Sequence, residues 1–294
     1  MTNSASASPA APASCHPQRI ALVTGSTDGL GRAVARTLAD SGFLVLIHGR
    51  DAQRGADLVR EICGRGGTAR FHRADLAALA QVRALADTVR GEHDRLHLLI
   101  NNAGIGTGAG GRPAPRQTSA DGYELRFAVN YLAGYLLTRL LLPLLVRAAP
   151  ARIVNVASVG QYPLDFDNPM LTRAYSGMRA YAQSKLAQVM LTLDLAAELR
   201  DSGVTVNCLH PATYMDTTMV RSAGVAPTST VAEGAEAVMR LAVSRELEGT
   251  TGMYFDGLRP ARANAQAYDA AARRRLADLS ARLTGSDRPS SATS

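Results

Sequence analysis

Tyr181 and Lys185 stand four residues apart in the stretch Tyr-Ala-Gln-Ser-Lys, and Lys185 is the only lysine among the 32 lysines and arginines of the chain. On a helix that spacing puts both side chains on one face, one turn apart. An ammonium beside a phenol favours the phenolate, so Lys185 is expected to lower the Tyr181 pKa from about 10 toward the working pH. The result would be a general acid/base. An amphipathic helix with an exposed lysine carries the same letters, so the surrounding elements must supply the context.

The first of these elements lies near the N-terminus. Residues 19–24 (RIALVT) form a continuous apolar run that reads as a buried parallel strand. It leads into Gly25, Ser26, Thr27, Asp28, Gly29, Leu30 and Gly31, and then into a helical pattern ending at Gly42. A strand, a glycine-rich turn and a helix N-terminus make an anion cradle. The glycines let backbone approach a pyrophosphate, and the free N–H groups and helix dipole bind it. Gly25, Ser26, Thr27, Gly29, Leu30 and Gly31 are therefore candidate contacts to a dinucleotide.

A second strand, Phe43 to His48, ends in Gly49-Arg50, where a dinucleotide fold meets the adenosine ribose. No carboxylate stands at the strand end, and the Arg50 guanidinium suits a 2′-phosphate, which favours NADP(H) over NAD(H). Asp51 reads as the cap of a helix over about 52–64, and Asp28 lies close to the expected phosphates. After a short strand (67–73), Asp75 is placed to accept from an adenine amino group, beside Leu76, and to cap a helix over 77–91.

A fourth strand, Leu96 to Ile100, ends in Asn101, Asn102, Ala103 and Gly104, where amides and small residues allow close passage of a cofactor. A Gly- and Pro-rich loop (104–119) follows, then a long helix over about 120–147 with Asn130, a poor interior helix residue, in its middle. The fifth strand, Arg152 to Ala157, delivers Ser158 at its carboxyl end, where parallel α/β sheets bind ligands. A polar loop precedes the helix of Tyr181 and Lys185, which runs to about 202. Tyr175 also has a basic residue four on, Arg179, but a guanidinium does not deprotonate and the pair falls at a loop–helix junction.

Strand six, Val204 to Leu209, runs into His210, Pro211, Ala212 and Thr213, and residues 212–230 have the small, polar composition of a mobile lid. A helix (231–245), a short strand (Gly252 to Phe255) and a helical pattern over 260–283 complete the alternation. The expected fold is α/β: a single-domain, Rossmann-type, doubly wound parallel sheet flanked by helices, over residues 18–284. Residues 1–17 and 285–294 read as disordered tails.

Composition narrows the function classes. The net charge is +7, but the arginines are scattered and no basic stripe is interleaved with aromatics, which argues against nucleic acid. Cys15, Cys63 and Cys208 are odd in number and far apart, as in a reducing compartment. The most apolar run, Tyr135 to Val146, is interrupted by Arg139 and Pro143 and reads as too short for a bilayer. The chain is therefore expected to be cytoplasmic, without a membrane partner.

Taken in order, Thr24-Gly25-x3-Gly29-x-Gly31, Asn101-Asn102-Ala103-Gly104, Asn130, Ser158 and Tyr181-x3-Lys185 resemble the short-chain dehydrogenase/reductase family of classical type, over residues 19–257. Asp165-Phe166-Asp167, the run from Arg173 to Tyr181 and the Arg-rich C-terminal helix resemble its retinol-dehydrogenase-like branch. The resemblance implies NADP(H)-dependent interconversion of a carbonyl and an alcohol. Tyr181 would then be the acid/base, Lys185 would bind the nicotinamide ribose, Ser158 would hold the reacting oxygen, and Asn130 a water. It also implies a homodimer or homotetramer through the long helices. The family's Pro-Gly after strand six is Pro211-Ala212 here, which leaves both Thr213 and Thr217 as candidates for the nicotinamide carboxamide. Other expectations compatible with these motifs are a ketoreductase of specialised metabolites, such as polyketides, and a non-catalytic NADP sensor.

Overall fold

The apolar run Ile20–Val23 forms β1 and is covered on both faces, which is why it shows no polar alternation. The computed structural model describes residues 18–108 and 115–286. Beside β1 lie β2 (Leu44–Gly49), β3 (Thr68–Arg73), β4 (Leu98–Asn101), β5 (Ala151–Val156), β6 (Val204–His210), β7 (Tyr254–Asp256) and β8 (Arg259–Ala261). They form one sheet in the order β3-β2-β1-β4-β5-β6-β7-β8, parallel except for the final β7–β8 pair. The chain reverses its direction of travel across the sheet between β1 and β4, the place where such sheets bind ligands beyond their carboxyl ends.

Helices cover both faces. α1 (Gly29–Asp40), α2 (Ala52–Gly64) and α7 (Val231–Val243) pack on one side around Val34, Leu38, Leu58, Ile62 and Leu241. On the other side α3 (Leu79–Glu92), α4 (Ala133–Arg147), α5 (Gly177–Glu198) and α8 (Ala270–Thr284) enclose Leu85, Tyr131, Leu136, Leu186 and Leu276. A short α6 (Thr218–Ser222) lies over the carboxyl ends of the strands. Asp51 caps α2, accepting from Arg54 N at 3.0 Å, and Ser176 caps α5.

The sequence-based boundaries need correction in four places. The helix expected from residue 120 begins at Leu125 and passes through a π-turn, Phe127–Leu132, before α4. Asp75 does not cap α3, which starts at Leu79; the amide of Leu79 donates to Asp121 Oδ2 at 3.0 Å instead. The helical pattern read over 260–283 is the antiparallel β8, a 3₁₀ turn at Ala265–Tyr268, and then α8. With its π-turn included, the helix Phe127–Arg147 is long and apolar enough to cross a membrane, although its apolar residues are mostly core here. Residues 1–17, with Cys15, and most of the expected C-terminal tail lie outside the described residues. Gly285, at φ 58°, ends α8 as its left-handed cap.

α8 lies against the faces of the π-turn and α5. Tyr131 Oη and Ser280 Oγ are 2.7 Å apart, Tyr123 Oη donates to Leu283 O, and Arg273 Nε donates to Asp194 at 2.7 Å. Part of the surface expected to pair two subunits is thus covered by the chain itself.

Candidate active site

The glycine-rich turn joins β1 to α1 where backbone must pass close to backbone. A Cβ on Gly31 would lie 2.2 Å from Gly25 O and 2.5 Å from Asn102 Nδ2, and one on Gly25 would lie 2.8 Å from Ala103 Cα. Asn102 is part of that scaffold: its Nδ2 donates to Thr24 O and Gly25 O, while Thr24 Oγ1 accepts from the amides of Asn102 and Ala103. Ser26 turns inward. Its hydroxyl donates to Val23 O at 2.8 Å and accepts from His48 N, so the side chain ties the turn to β1 and β2. The first-turn amides of Leu30 and Gly31 have no acceptor within the helix, which suits a phosphate.

His48 was not singled out in the sequence. Its Nδ1 accepts from Gly25 N at 3.1 Å, so the proton resides on Nε2, which donates to Ala74 O at 3.2 Å. Burial lowers its pKa to about 4. The neutral ring fastens the glycine-rich turn to the Ala74–Asp75–Leu76 corner. There Asp75 Oδ1 accepts from Ala77 N, and Leu76 is buried.

At the end of β2, Thr27 lies over Gly49, where a Cβ would come within 2.6 Å of the threonine methyl. Arg50 is exposed and its carbonyl accepts from Arg73 Nε at 3.0 Å. Arg54 reaches across to Asp28 at 3.3 Å and to Asp51 at 3.6 Å. Three guanidinium-bearing residues therefore collect at the expected ribose end. Asp28, which caps α1 through Gly29 N, is held by Arg54 and by the Thr218 hydroxyl at 2.8 Å.

The four residues expected to do chemistry gather at the ends of β4 and β5. Tyr181, partly exposed, neighbours Ser158 across Gly160, where a Cβ would touch both, 3.5 Å from Ser158 Oγ and 3.8 Å from Tyr181 Cε1. Lys185 is buried; its Nζ donates to Val156 O at 2.7 Å and to Gln188 Oε1 at 2.9 Å, 5.8 Å from the Tyr181 ring centroid. Burial lowers the Lys185 pKa to about 7. Burial also raises Tyr181 above its ordinary value, opposed by the nearby Ser158 hydroxyl. The expected depression of the tyrosine by its lysine is therefore not found. The ammonium faces carbonyl oxygens instead of the phenol, and its charge is weakened by desolvation. Asn130, in the π-turn, accepts from Ile105 N at 2.8 Å and donates to Ile105 O and Ser184 Oγ. A Cβ on Gly104 would lie 3.4 Å from Asn130 Oδ1 and 3.6 Å from Lys185 Nζ, so the glycine keeps the approach to both open.

Residues after β6 close over the cleft. Thr213 Oγ1 pairs with His210 Nε2 at 3.0 Å, beside Pro211. Thr217 caps α6 and places its methyl against Gly29, while Met219 packs on Gly106. The two threonines thus lie apart, Thr213 at the end of β6 and Thr217 over the glycine-rich turn. Tyr175 and Arg179 do not pair; Arg179 binds Asp165 at 3.3 Å. A dinucleotide suits this donor set: a glycine turn with unpaired amides, arginines at one end, and a glycine-lined approach to a buried lysine at the other.

Residues 19–227 match the family model described as short chain dehydrogenase. The chain is a member of the short-chain dehydrogenase/reductase family. This dehydrogenase/reductase is 36% identical to human retinol dehydrogenase 13, over 93% of its own length and 87% of that protein's. To mouse polyprenol dehydrogenase it is 39% identical, over 92% and 84%. Among solved structures, the RhlG/NADP active-site complex of Pseudomonas aeruginosa matches with a TM-score of 0.66 at 29% identity, covering 81% of this chain and 94% of that one. A short chain dehydrogenase of Shigella flexneri complexed with NADP matches at 0.67 and 28%, covering 81% and 96%. The dehydrogenase/reductase is an NAD(P)-dependent oxidoreductase acting on CH–OH and C=O groups, of the retinol-dehydrogenase-like branch.

Proposed function

We propose that this enzyme uses NADP(H) to interconvert a lipophilic ketone or aldehyde and its alcohol, with Tyr181 as the general acid/base. The observation that carries the reading is the convergence of Ser158 Oγ and the Tyr181 ring on Gly160 at the end of β5, one helical turn from buried Lys185. The nicotinamide, when bound, supplies or accepts the hydride. Ser158 would hold the reacting oxygen and stabilise charge developing on it. Tyr181, held above its ordinary pKa, is protonated at neutral pH, which suits proton donation to a carbonyl oxygen in reduction. Lys185 would bind the nicotinamide ribose. Asn130 holds the Ile105 backbone at both its polar groups, and with its amide hydrogens engaged only Oδ1 has a lone pair left for a water.

Gly25, Gly29, Gly31 and Leu30 would take the pyrophosphate. Thr27 would line the ribose end, with Arg50 the reader of the 2′-phosphate. Asp75, Leu76, Asn102, Ala103, Gly104, Pro211, Thr213 and Thr217 would border the rest of the cofactor. NADP(H) over NAD(H) is supported by Arg50 with Arg54 and Arg73 at the end of β2, and by the NADP in both structural relatives. The lipophilic substrate is supported by exposed Val159, Tyr162, Met178, Tyr214 and Met219 on the segments around the cleft, and by the long apolar alcohols that the retinol and polyprenol dehydrogenases are named for. Free Cys63 and Cys208 support a reducing, cytoplasmic setting.

The test is oxidation of NADPH, beside NADH, with long-chain aldehydes and ketones, for the natural protein and Tyr181→Phe. Turnover with NADPH preferred is expected, and the variant should lose about 10²- to 10⁴-fold in kcat/KM while still binding NADPH. A variant as active as the natural protein would remove Tyr181 from the chemistry. Preference for NADH would remove Arg50 as the phosphate reader.

A further inference from the structure

A buried charged cluster lies one helical turn before Asn130, and nothing in the hydride-transfer scheme uses it. Glu124 and Arg126 are both buried, 0% and 3% exposed, and pair at 3.5 Å. Tyr175 Oη donates to Glu124 Oε1 at 3.1 Å and accepts from Arg126 Nη1 at 2.7 Å. Glu124 Oε2 accepts from Phe127 N at 2.7 Å, and Arg126 Nε donates to Gly106 O at 2.7 Å. Burying an acid and a base is expensive unless every polar atom is engaged, and a hydrophobic substitute of similar volume would often hold a fold as well. A cluster of this kind that also grips backbone points to a positional task.

The three residues join three segments that border the cleft. Glu124 and Arg126 lead into the π-turn, Tyr175 precedes α5 by two residues, and Gly106 belongs to the chain leaving β4. That chain is held twice by one helix, at Ile105 by Asn130 and at Gly106 by Arg126, four residues earlier on the same face. Against α5 it is pressed so closely that a Cβ on Gly177 would lie 2.2 Å from Thr107 O. Gly177 opens the helix that presents Tyr181 one turn later, and Met219 of α6 rests on Gly106.

We infer that Glu124, Arg126 and Tyr175 form a positioning cluster that fixes the wall Gly104–Gly108 against the start of α5 and so sets the substrate cleft beside Tyr181. The inference rests on the proposed carbonyl–alcohol chemistry for its kinetic arm only. Tyr175→Phe removes one hydroxyl from the cluster, and Arg126→Lys keeps the charge but cannot hold Glu124, Tyr175 and Gly106 together.

Hydrogen exchange read by mass spectrometry should show faster exchange in the peptide spanning 104–108 in both variants, with β5 and β6 protected as in the natural protein. In steady state, KM for the carbonyl should rise several-fold in Tyr175→Phe, while NADPH binding stays unchanged and kcat changes less than KM. Unchanged exchange at 104–108, or equally faster exchange across the sheet, would overturn the positioning role. A carbonyl KM equal to that of the natural protein would overturn it too. If the natural protein turns over no carbonyl at all, the proposed function fails, and the exchange result still decides whether the cluster anchors the wall.

Discussion

Lys185 shows how folding can reverse what a pair of residues suggests. Four-residue spacing promised an ammonium beside a phenol, but Nζ turns to Val156 O and Gln188 Oε1 and surrenders its hydration. Because the chain has one lysine, labelling at that residue type gives a single side-chain signal from which the titration can be read directly. Its midpoint in the free protein is expected near 7, the value burial imposes, instead of about 10.4. A midpoint near 10 would mean that the amine is hydrated. Tyr181, Ser158 and Asn130 were legible because their residue types stand at recognisable places on a strand end or helix. His48 and Gln188 were not, because their partners are Gly25 and Lys185, and only Gln188 lies within a helical turn of its partner.

At the scale of elements, the glycine-rich turn is the most constrained. Gly31→Ala would drive a methyl into Gly25 O and Asn102 Nδ2. Overpacking of this kind costs about 1–3 kcal/mol, or roughly 2–10 °C in Tm for a chain of this size, and NADPH binding should weaken with it. Gly64→Ala near the end of α2, where a Cβ meets nothing within 4 Å, is the matched comparison and should leave both unchanged. Equal melting of the two variants would mean that the turn yields. The π-turn at Phe127–Leu132 was signalled only by an asparagine in an apolar helix. A one-residue expansion of helical pitch leaves no mark in hydrophobic spacing, and Asn130 needs it to meet Ile105 on one side and Ser184 on the other.

For the whole molecule, pH and the C-terminal helix carry the predictions. Burial lowers the pKa of His48, His72, His93, His97 and His210, His48 to about 4. Between about pH 6.5 and about pH 4 the unfolded chain therefore binds more protons than the folded one. Stability that is complete above about pH 6.5 is lost as the pH falls, with about 3 kcal/mol from His48 alone. Denaturant unfolding across that range should show the loss, and His48→Asn should flatten the slope; an unchanged slope would mean that His48 titrates normally. A chain ending at Asp269 loses α8 and uncovers Tyr131 and the Asp194 face of α5. Sedimentation velocity should then show self-association beyond that of the full chain. An identical state at every concentration would mean that α8 does not stand in for a subunit.

The sequence by itself determined the alternation of strands and helices, the doubly wound sheet and the order of the functional motifs. Those features are local: apolar runs, glycine turns and four-residue spacings are read within one or two turns of chain. Only the tertiary structure decided which oxygen the Lys185 amine faces and that Ser26 turns inward. It also decided that Asp28 is held by Arg54 and Thr218, that Tyr175 belongs to a buried cluster, and that α8 covers the long helices. Each of these depends on contacts between segments far apart in the chain, and the direction of a pKa shift follows from how much water those contacts exclude.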